Sequence, residues 1–286
     1  DVCSSDLIPE ELIEFIKESP TAFHAVSAMA ARLTESGFIR LEEGMRWNLK
    51  QGGSYYVTRN DSSLIAFTIP EHPFQGMRIM ASHSDSPSFK IKENPEMESE
   101  GHYIRLNVER YGGMLFAPWF DRPLSVAGRV IVKDPSTDGK PSACFLSKLV
   151  NIDRDLLMIP NLAIHMDRDA NNGHKYNAQK DMLPLYGDLT AKNTFFQTIA
   201  EAANVTEDEI LGHDLFLYNR QEPCIWGASR EFLSAPRLDD LQCAFASLKG
   251  FLSGAKEDYL ALHCVFDNEE VGSGTKQGAA STFLKD

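Results

Sequence analysis

The 286-residue chain has no Cys-x-x-Cys pair, an odd number of cysteines and no internal repeat. Its five cysteines, Cys3, Cys144, Cys224, Cys243 and Cys264, are scattered. That argues against a disulfide framework or a zinc knuckle and favours the reduced thiols of a cytoplasm. No apolar run approaches the roughly 20 residues that span a bilayer, and no basic stretch followed by an apolar one marks a secretory signal. Basic residues are in deficit: 28 Lys and Arg face 41 Asp and Glu, for a formal net charge of -13. A nucleic-acid partner calls for a basic face. We therefore expect a cytoplasmic protein with no nucleic-acid and no membrane partner.

What is present is an ordinary globular composition, 43% hydrophobic and 24% charged, on a chain long enough for one large domain or two. Ile8 to Glu18 and Thr21 to Ser36 read as helices. In the second, Ala22, Ala25, Val26, Met29 and Leu33 share a face, with Thr21 able to cap the start and Gly37 the end. Tyr55 to Thr58 and Leu64 to Ile69 flank Asn60-Asp61-Ser62, a hairpin pattern. Met77 to Ser82 and Tyr259 to Phe266 read as buried strands. From about Asn94 to Ser234 come short strand candidates, Arg129 to Lys133 and Asp214 to Tyr218 among them, with many Pro, Gly and Asn breaks and one helix around Asn193 to Ala203. Helical spacing returns after Asp239, where Leu241, Ala244, Phe245, Leu248 and Leu252 align. The pattern predicts an α/β domain made of 8–93 and 235–286, interrupted by a β-rich insertion over 94–234.

Both ends carry expectations of their own. Asp1 to Leu7 is what a common sequencing adapter encodes in frame, so we set 1–7 aside as non-native, the alternative being a frayed polar terminus. Lys276 to Asp286 reads as the opening turns of a helix, and the chain as part of a longer protein.

The chemistry-bearing residues cluster at predicted strand ends. His83-Ser84-Asp85 follows one strand and Asp267-Asn268-Glu269-Glu270 the other, which is where open α/β sheets place ligands. A His and carboxylates can hold a zinc that activates water, with a free carboxylate to take the proton. Asp85, two residues from His83, can accept from one imidazole nitrogen while the other binds metal. On an extended backbone Glu269 and Glu270 point opposite ways, one to metal and one free as base. Each also has a plain reading: a hydrogen-bonded pair at a strand end for His83 and Asp85, a helix N-cap for Asp239, a solvated acidic turn for the glutamates, and a satisfied histidine in a half-buried strand for His165.

Five ordered stretches go beyond those plain readings. They are Ser19-Pro20-Thr21-Ala22-Phe23-His24, Ser82-His83-Ser84-Asp85-Ser86-Pro87, Ile159-Pro160-Asn161-Leu162-Ala163-Ile164-His165, Ala235-Pro236-Arg237-Leu238-Asp239-Asp240-Leu241 and Phe266-Asp267-Asn268-Glu269-Glu270-Val271-Gly272-Ser273. With them the chain, from about Ile8 to Asp286, resembles the aspartyl aminopeptidase family of two-zinc exopeptidases. The resemblance implies a zinc-exopeptidase-type α/β/α catalytic domain and makes the insertion a dimerisation domain. By it His83 binds one zinc, Asp239 bridges both, Glu270 binds the second, Glu269 is the general base and Asp85 orients His83. His165 is implied to reach the active site of a neighbouring subunit. Asp240 departs from the Asn of many members. Two further ligands, an Asp and a His, are implied from sequence beyond Asp286, so this chain alone is expected to bind metal weakly.

The activity implied is that of a metalloaminopeptidase cutting the first bond of peptides, preferring acidic N-terminal residues and using two Zn²⁺ per complete subunit or another divalent metal. It is expected to form homo-oligomers through the insertion. The alternatives are a two-zinc amidohydrolase of acylated amino acids and an inactive truncated assembly subunit.

Overall fold

The computed structural model describes residues 8–134, 145–254 and 258–286. Residues 1–7, with their adapter reading, and Cys144 lie outside the described residues. The chain divides into two compact units, one of 1–86 with 222–286 and the other of 87–221. The division falls earlier at both junctions than the 94 and 234 expected from composition.

The first unit opens with two helices, α1 (Ile8–Glu18) and α2 (Ala22–Glu35). In α1 Glu10 and Glu11 sit in the first turn and Lys17 in the last, matching the helix dipole. Its Phe15 and Ile16 are buried. Helix α2 ends as its sequence predicts: Gly37 takes φ +84°, its N–H bonds the Thr34 carbonyl, and the Phe38 N–H reaches Leu33. At the start of α2 the sequence misleads. Thr21 stands in extended backbone at the cap, but its hydroxyl pairs with His24 Nδ1 at 2.8 Å instead of capping the backbone.

Strands β1 (Ile39–Leu41), β2 (Ser54–Arg59), β3 (Ser63–Thr68) and β4 (Gly76–His83) follow. The β2–β3 hairpin turns where expected, with Asn60 and Asp61 both at positive φ, a conformation those two side chains tolerate.

The second unit is an antiparallel sheet. Its strands are β5 (Ser88–Ser99), β6 (Tyr103–Tyr111), β7 (Leu124–Lys133), β8 (Phe145–Asn151), β9 (Leu185–Asp188) and β10 (Ile210–Asn219), in the order β8-β7-β10-β5-β6-β9. Helix α3 (Phe195–Ala203) buries Phe195 and Ile199 in the same core as Phe89, Val126, Val130 and Leu215. Alternate residues of β7 and β10 face that core, as period-2 patterning requires.

The chain then returns to the first unit. A hairpin of β11 (Cys224–Trp226) and β12 (Phe232–Ser234) leads to α4 (Leu238–Ser253) and β13 (Tyr259–Phe266). Strand β13 enters the first sheet between β3 and β4, giving the order β1-β2-β3-β13-β4, antiparallel to β3 and parallel to β4. On one face Phe15, Met29, Leu33, Leu241, Phe245 and Phe251 pack beneath the helices. On the other, Val57, Ile65, Leu262, Cys264 and Phe266 gather around Phe283. The unit is thus α/β.

The helix expected over Lys276 to Asp286 is absent; the segment is a series of turns. Only Phe283 is buried among its large side chains, so there is no apolar stripe to repay the cost of starting a helix.

Candidate functional site

Parallel pairing of β4 with β13 sets Ser82 opposite Val265 and His83 opposite Phe266, so both chains leave the sheet side by side at their carboxyl ends. The Ser84 N–H bonds the Phe266 carbonyl at 2.8 Å, pinning the two exits together, and its hydroxyl bonds the Ser62 carbonyl at 2.6 Å, tying them to the β2–β3 turn. The first loop then presents His83 and Asp85, and the second Glu269 and Glu270.

Asp85 is 3% exposed and joins these loops. Its carboxylate lies 3.2 Å from His83 Nδ1 and accepts the N–H groups of Glu269 and Glu270, each also at 3.2 Å. Three donors offset much of the cost of burying a carboxylate. They also fix the imidazole so that Nε2 faces away from Asp85. The two glutamates are not on extended backbone as the sequence reading assumed. Asn268 adopts φ +62° and starts a 3-10 turn over Glu269–Val271. Its Oδ1 accepts from Thr275 and Gln277, which holds the turn from behind.

His83 Nε2 meets three carboxylates: Asp239 Oδ1 at 3.4 Å, Asp240 Oδ2 at 3.7 Å and Glu269 Oε2 at 4.0 Å. Ligand atoms of His83, Asp239 and Asp240 all lie within 4.8 Å of one another. Glu270 lies outside that group of three. Burial raises its carboxyl pKa, and the charges of Asp85 and Asp239 add to the effect against His83. Burial pulls His83 down, but Asp85, Asp240 and Glu269 together push it up to about 9. An imidazole so surrounded marks a place that favours positive charge.

The spacing fits a metal. Two donors each about 2.0–2.1 Å from a tetrahedral zinc lie about 3.4 Å from each other, the separation found between His83 Nε2 and Asp239 Oδ1.

Asp239 does not cap its helix. It has φ -87° and ψ 110°, outside helical values, and its side chain is 80% exposed. Asp240, the departure from the Asn of many members of the resembled family, has a definite place: its Oδ2 accepts the His83 N–H at 3.0 Å. An Asn could make that bond through its own oxygen, so what Asp adds is the charge. Asp267, just upstream of the glutamates, is buried and pushed up to about 6 by that burial. Asp240 and Asp267 were both legible as acids beside a proposed ligand.

His165 belongs to the other unit and is exposed there in a turn closed by the Met166 N–H to Ala163, not in a half-buried strand. Pro160 and Asn161 end the extended stretch, with the Leu162 N–H bonded to Asn161 Oδ1. Leu162, Ile164 and Met166 around it are exposed.

The family model described as Aminopeptidase I zinc metalloprotease (M18) matches residues 15–286. The chain belongs to that M18 family. It is 45% identical over 283 residues to a probable M18 family aminopeptidase 2 of Clostridium acetobutylicum, covering 97% of this chain and 64% of that relative. Among solved structures it is similar to one of a complex of Ape4 and Nbr1, with TM-score 0.92 and 32% identity over 99% of this chain and 58% of that one. It is also similar to the mApe1 dodecamer of S. cerevisiae, with TM-score 0.80 and 29% identity over 97% and 64%. The chain thus spans about two thirds, or slightly less, of the M18 proteins it matches.

Proposed function

We propose that this M18 chain carries the greater part of the catalytic centre of a zinc aminopeptidase that removes N-terminal residues, acidic ones by preference, from peptides. The observation that carries the reading is the meeting of His83, at the end of β4, with Asp239 and Asp240, at the start of α4, with a buried Asp85 behind the imidazole.

His83 would hold one zinc through Nε2, Asp239 would lie between two, and Glu270 would serve the second. When bound there, zinc supplies Lewis-acid polarisation of the scissile carbonyl and acidifies water. Glu269, 57% exposed beside His83 Nε2, takes a proton from the attacking water and delivers it to the departing amine. Asp85 acts through His83, keeping Nε2 aimed at the metal position. Exposed carboxylates in the same cluster attract the free α-amine of a peptide, which restricts cutting to N-termini. The preference for an acidic first residue rests on the resemblance to aspartyl aminopeptidases.

The insertion over 94–234 is proposed as the oligomerisation domain. The exposed apolar side chains of Leu162, Ile164 and Met166 beside His165 support a subunit contact there, with His165 acting on a neighbour's substrate. Among the described residues no helix is long and apolar enough to cross a membrane. Among the described residues Cys224, Cys243 and Cys264 are free thiols, and a cytoplasmic location is proposed from the sequence composition alone.

The test is zinc content and hydrolysis of an N-terminal aspartyl amide by the complete reading frame that contains this chain. Glu269→Gln should keep zinc and lose about two to four orders of magnitude in rate, whereas Glu270→Gln should lower zinc occupancy. The opposite pattern would exchange the two roles.

A further inference from the structure

We infer that Arg237 is a second positioning residue of this centre, beside Asp85: it clamps the end of α1 and thereby turns Asp239 and Asp240 out of helical conformation toward His83. The inference rests on the metal-centre reading above.

Arg237 stands at φ +58° and ψ +29°, a left-handed conformation that is uncommon and unfavourable for a residue with a long side chain. What holds it there is its guanidinium. Nε donates to the Ser19 carbonyl at 3.1 Å and Nη2 to the Ile16 carbonyl at 3.0 Å. Both acceptors lie where α1 ends and the helix dipole is negative, the Ile16 carbonyl also accepting the Ser19 N–H at 3.2 Å. A planar fork spans two carbonyls in a way that a lysine ammonium does not.

The backbone consequence lies in the next three residues. The Arg237 carbonyl accepts the Leu241 N–H at 3.3 Å, closing the first turn of α4. Within that turn Asp239 and Asp240, at φ -87° and -115° and ψ 110° and 19°, depart from helical angles. Ser86 Oγ donates to the Asp239 carbonyl at 2.7 Å and fixes the other side of the turn. Asp239 Oδ1 then reaches 3.4 Å from His83 Nε2, and Asp240 accepts the His83 N–H.

The Ser19-Pro20-Thr21-Ala22-Phe23-His24 stretch, which the proposed chemistry does not use, becomes the seat of the clamp. Ser19 is fully buried and supplies a carbonyl, while Thr21 and His24 are tied together beside the guanidinium.

The test compares Arg237→Lys and Arg237→Gly with the wild-type chain by residue-resolved amide exchange and Co²⁺ titration. Lysine keeps the charge and loses the fork; glycine relaxes the backbone and loses the clamp. In both we expect the His83 amide to exchange at least about tenfold faster while Cys264 and Val265 in β13 keep their protection, and Co²⁺ affinity to fall about 10- to 100-fold. A role confined to general stability would move the β13 amides too. Wild-type exchange at His83 together with wild-type Co²⁺ affinity in the lysine variant would overturn the inference. Should the glycine variant unfold, the lysine variant decides. Asp239→Asn serves as the control for the centre itself: if it binds Co²⁺ like wild type, the metal reading fails, and the clamp stands or falls on His83 exchange alone.

Discussion

Acid should weaken the first unit through His263, and replacing that residue should remove the effect. His263 lies on β13 between Ala66 of β3 and Met80 of β4, is 0% exposed, and stacks on Phe251 at 5.8 Å. Among the described residues neither ring nitrogen has a hydrogen-bond partner. Burial pulls its pKa from 6.5 down to about 4. The unfolded chain therefore takes up the proton near pH 6.5 and the folded chain only near pH 4. Stability is lost as pH falls through that window, by about 3 kcal/mol in all at about 1.4 kcal/mol for each factor of ten. That is a large part of an ordinary domain's margin of about 5–15 kcal/mol.

The wild-type profile alone does not isolate this group. His24 is also lowered to about 4, by burial first and then by Arg237, and acts with the same sign. Asp267 is raised to about 6, so its folded form binds a proton first and recovers stability of similar size between about pH 6 and pH 4. The informative quantity is a difference between proteins. Urea unfolding followed by circular dichroism at about pH 7.5 and about pH 4.5 should cost the wild type about 2.5 kcal/mol more than His263→Phe. Any overpacking by the larger ring is independent of pH and drops out. Equal losses in the two proteins would show that the imidazole is not the group responsible.

Two further outcomes follow from the proposed site. Mixing inactive His165→Ala subunits with inactive Glu269→Gln subunits of the complete protein should restore part of the peptidase rate, measured on an aspartyl amide; no recovery under proven subunit exchange would remove the role across subunits. The chain of 286 residues alone should hold fewer than two zincs by metal analysis and show little turnover, since losing even an outer-shell partner costs about 10- to 100-fold in affinity; two tightly bound zincs with full turnover would mean that these residues supply every ligand.

The helices and the hairpin of the first unit are legible because their signals are local. Ala25, Val26, Met29 and Leu33 repeat at helical spacing before a glycine that takes φ +84°, and Asn60-Asp61 supplies the two positive φ values of a tight turn. Strands β5 and β6 are hard to read for the same local reason. In β5 the run Glu93-Asn94-Pro95-Glu96 looks like a break, yet the pairing with β6 only shifts register between Ile91 and Glu96 and then resumes. The site itself divides similarly. The proximity of His83 to Asp85 follows from spacing at a strand end, but that of His83 to Asp239 depends on a left-handed arginine and a clamp on α1, neither of which a residue pattern announces. Extended backbone at Glu269 and Glu270 is the natural default after β13, and a single positive φ at Asn268 defeats it.

Asp85 ties these local facts into one centre, and an amide in its place should undo the centre selectively. Oδ1 lies 3.2 Å from both His83 Nδ1 and the Glu269 N–H, while Oδ2 takes the Glu270 N–H. In Asp85→Asn the remaining oxygen can serve only one side. If it keeps His83 and Glu269, the new NH₂ faces the Glu270 N–H, donor against donor, and the turn must open at Glu270. If the amide flips, the imidazole loses its acceptor and Nε2 is no longer aimed. Either way one ligand is released, and Co²⁺ affinity should fall about 10- to 100-fold although no proposed ligand has been changed. Amide exchange tells the two cases apart: faster exchange at Glu270 alone marks the first, and faster exchange at Glu269 the second. Wild-type affinity in Asp85→Asn would mean that His83 is oriented by the backbone carbonyl of residue 85, which lies 3.1 Å from Nδ1, and that the buried carboxylate serves only the turn.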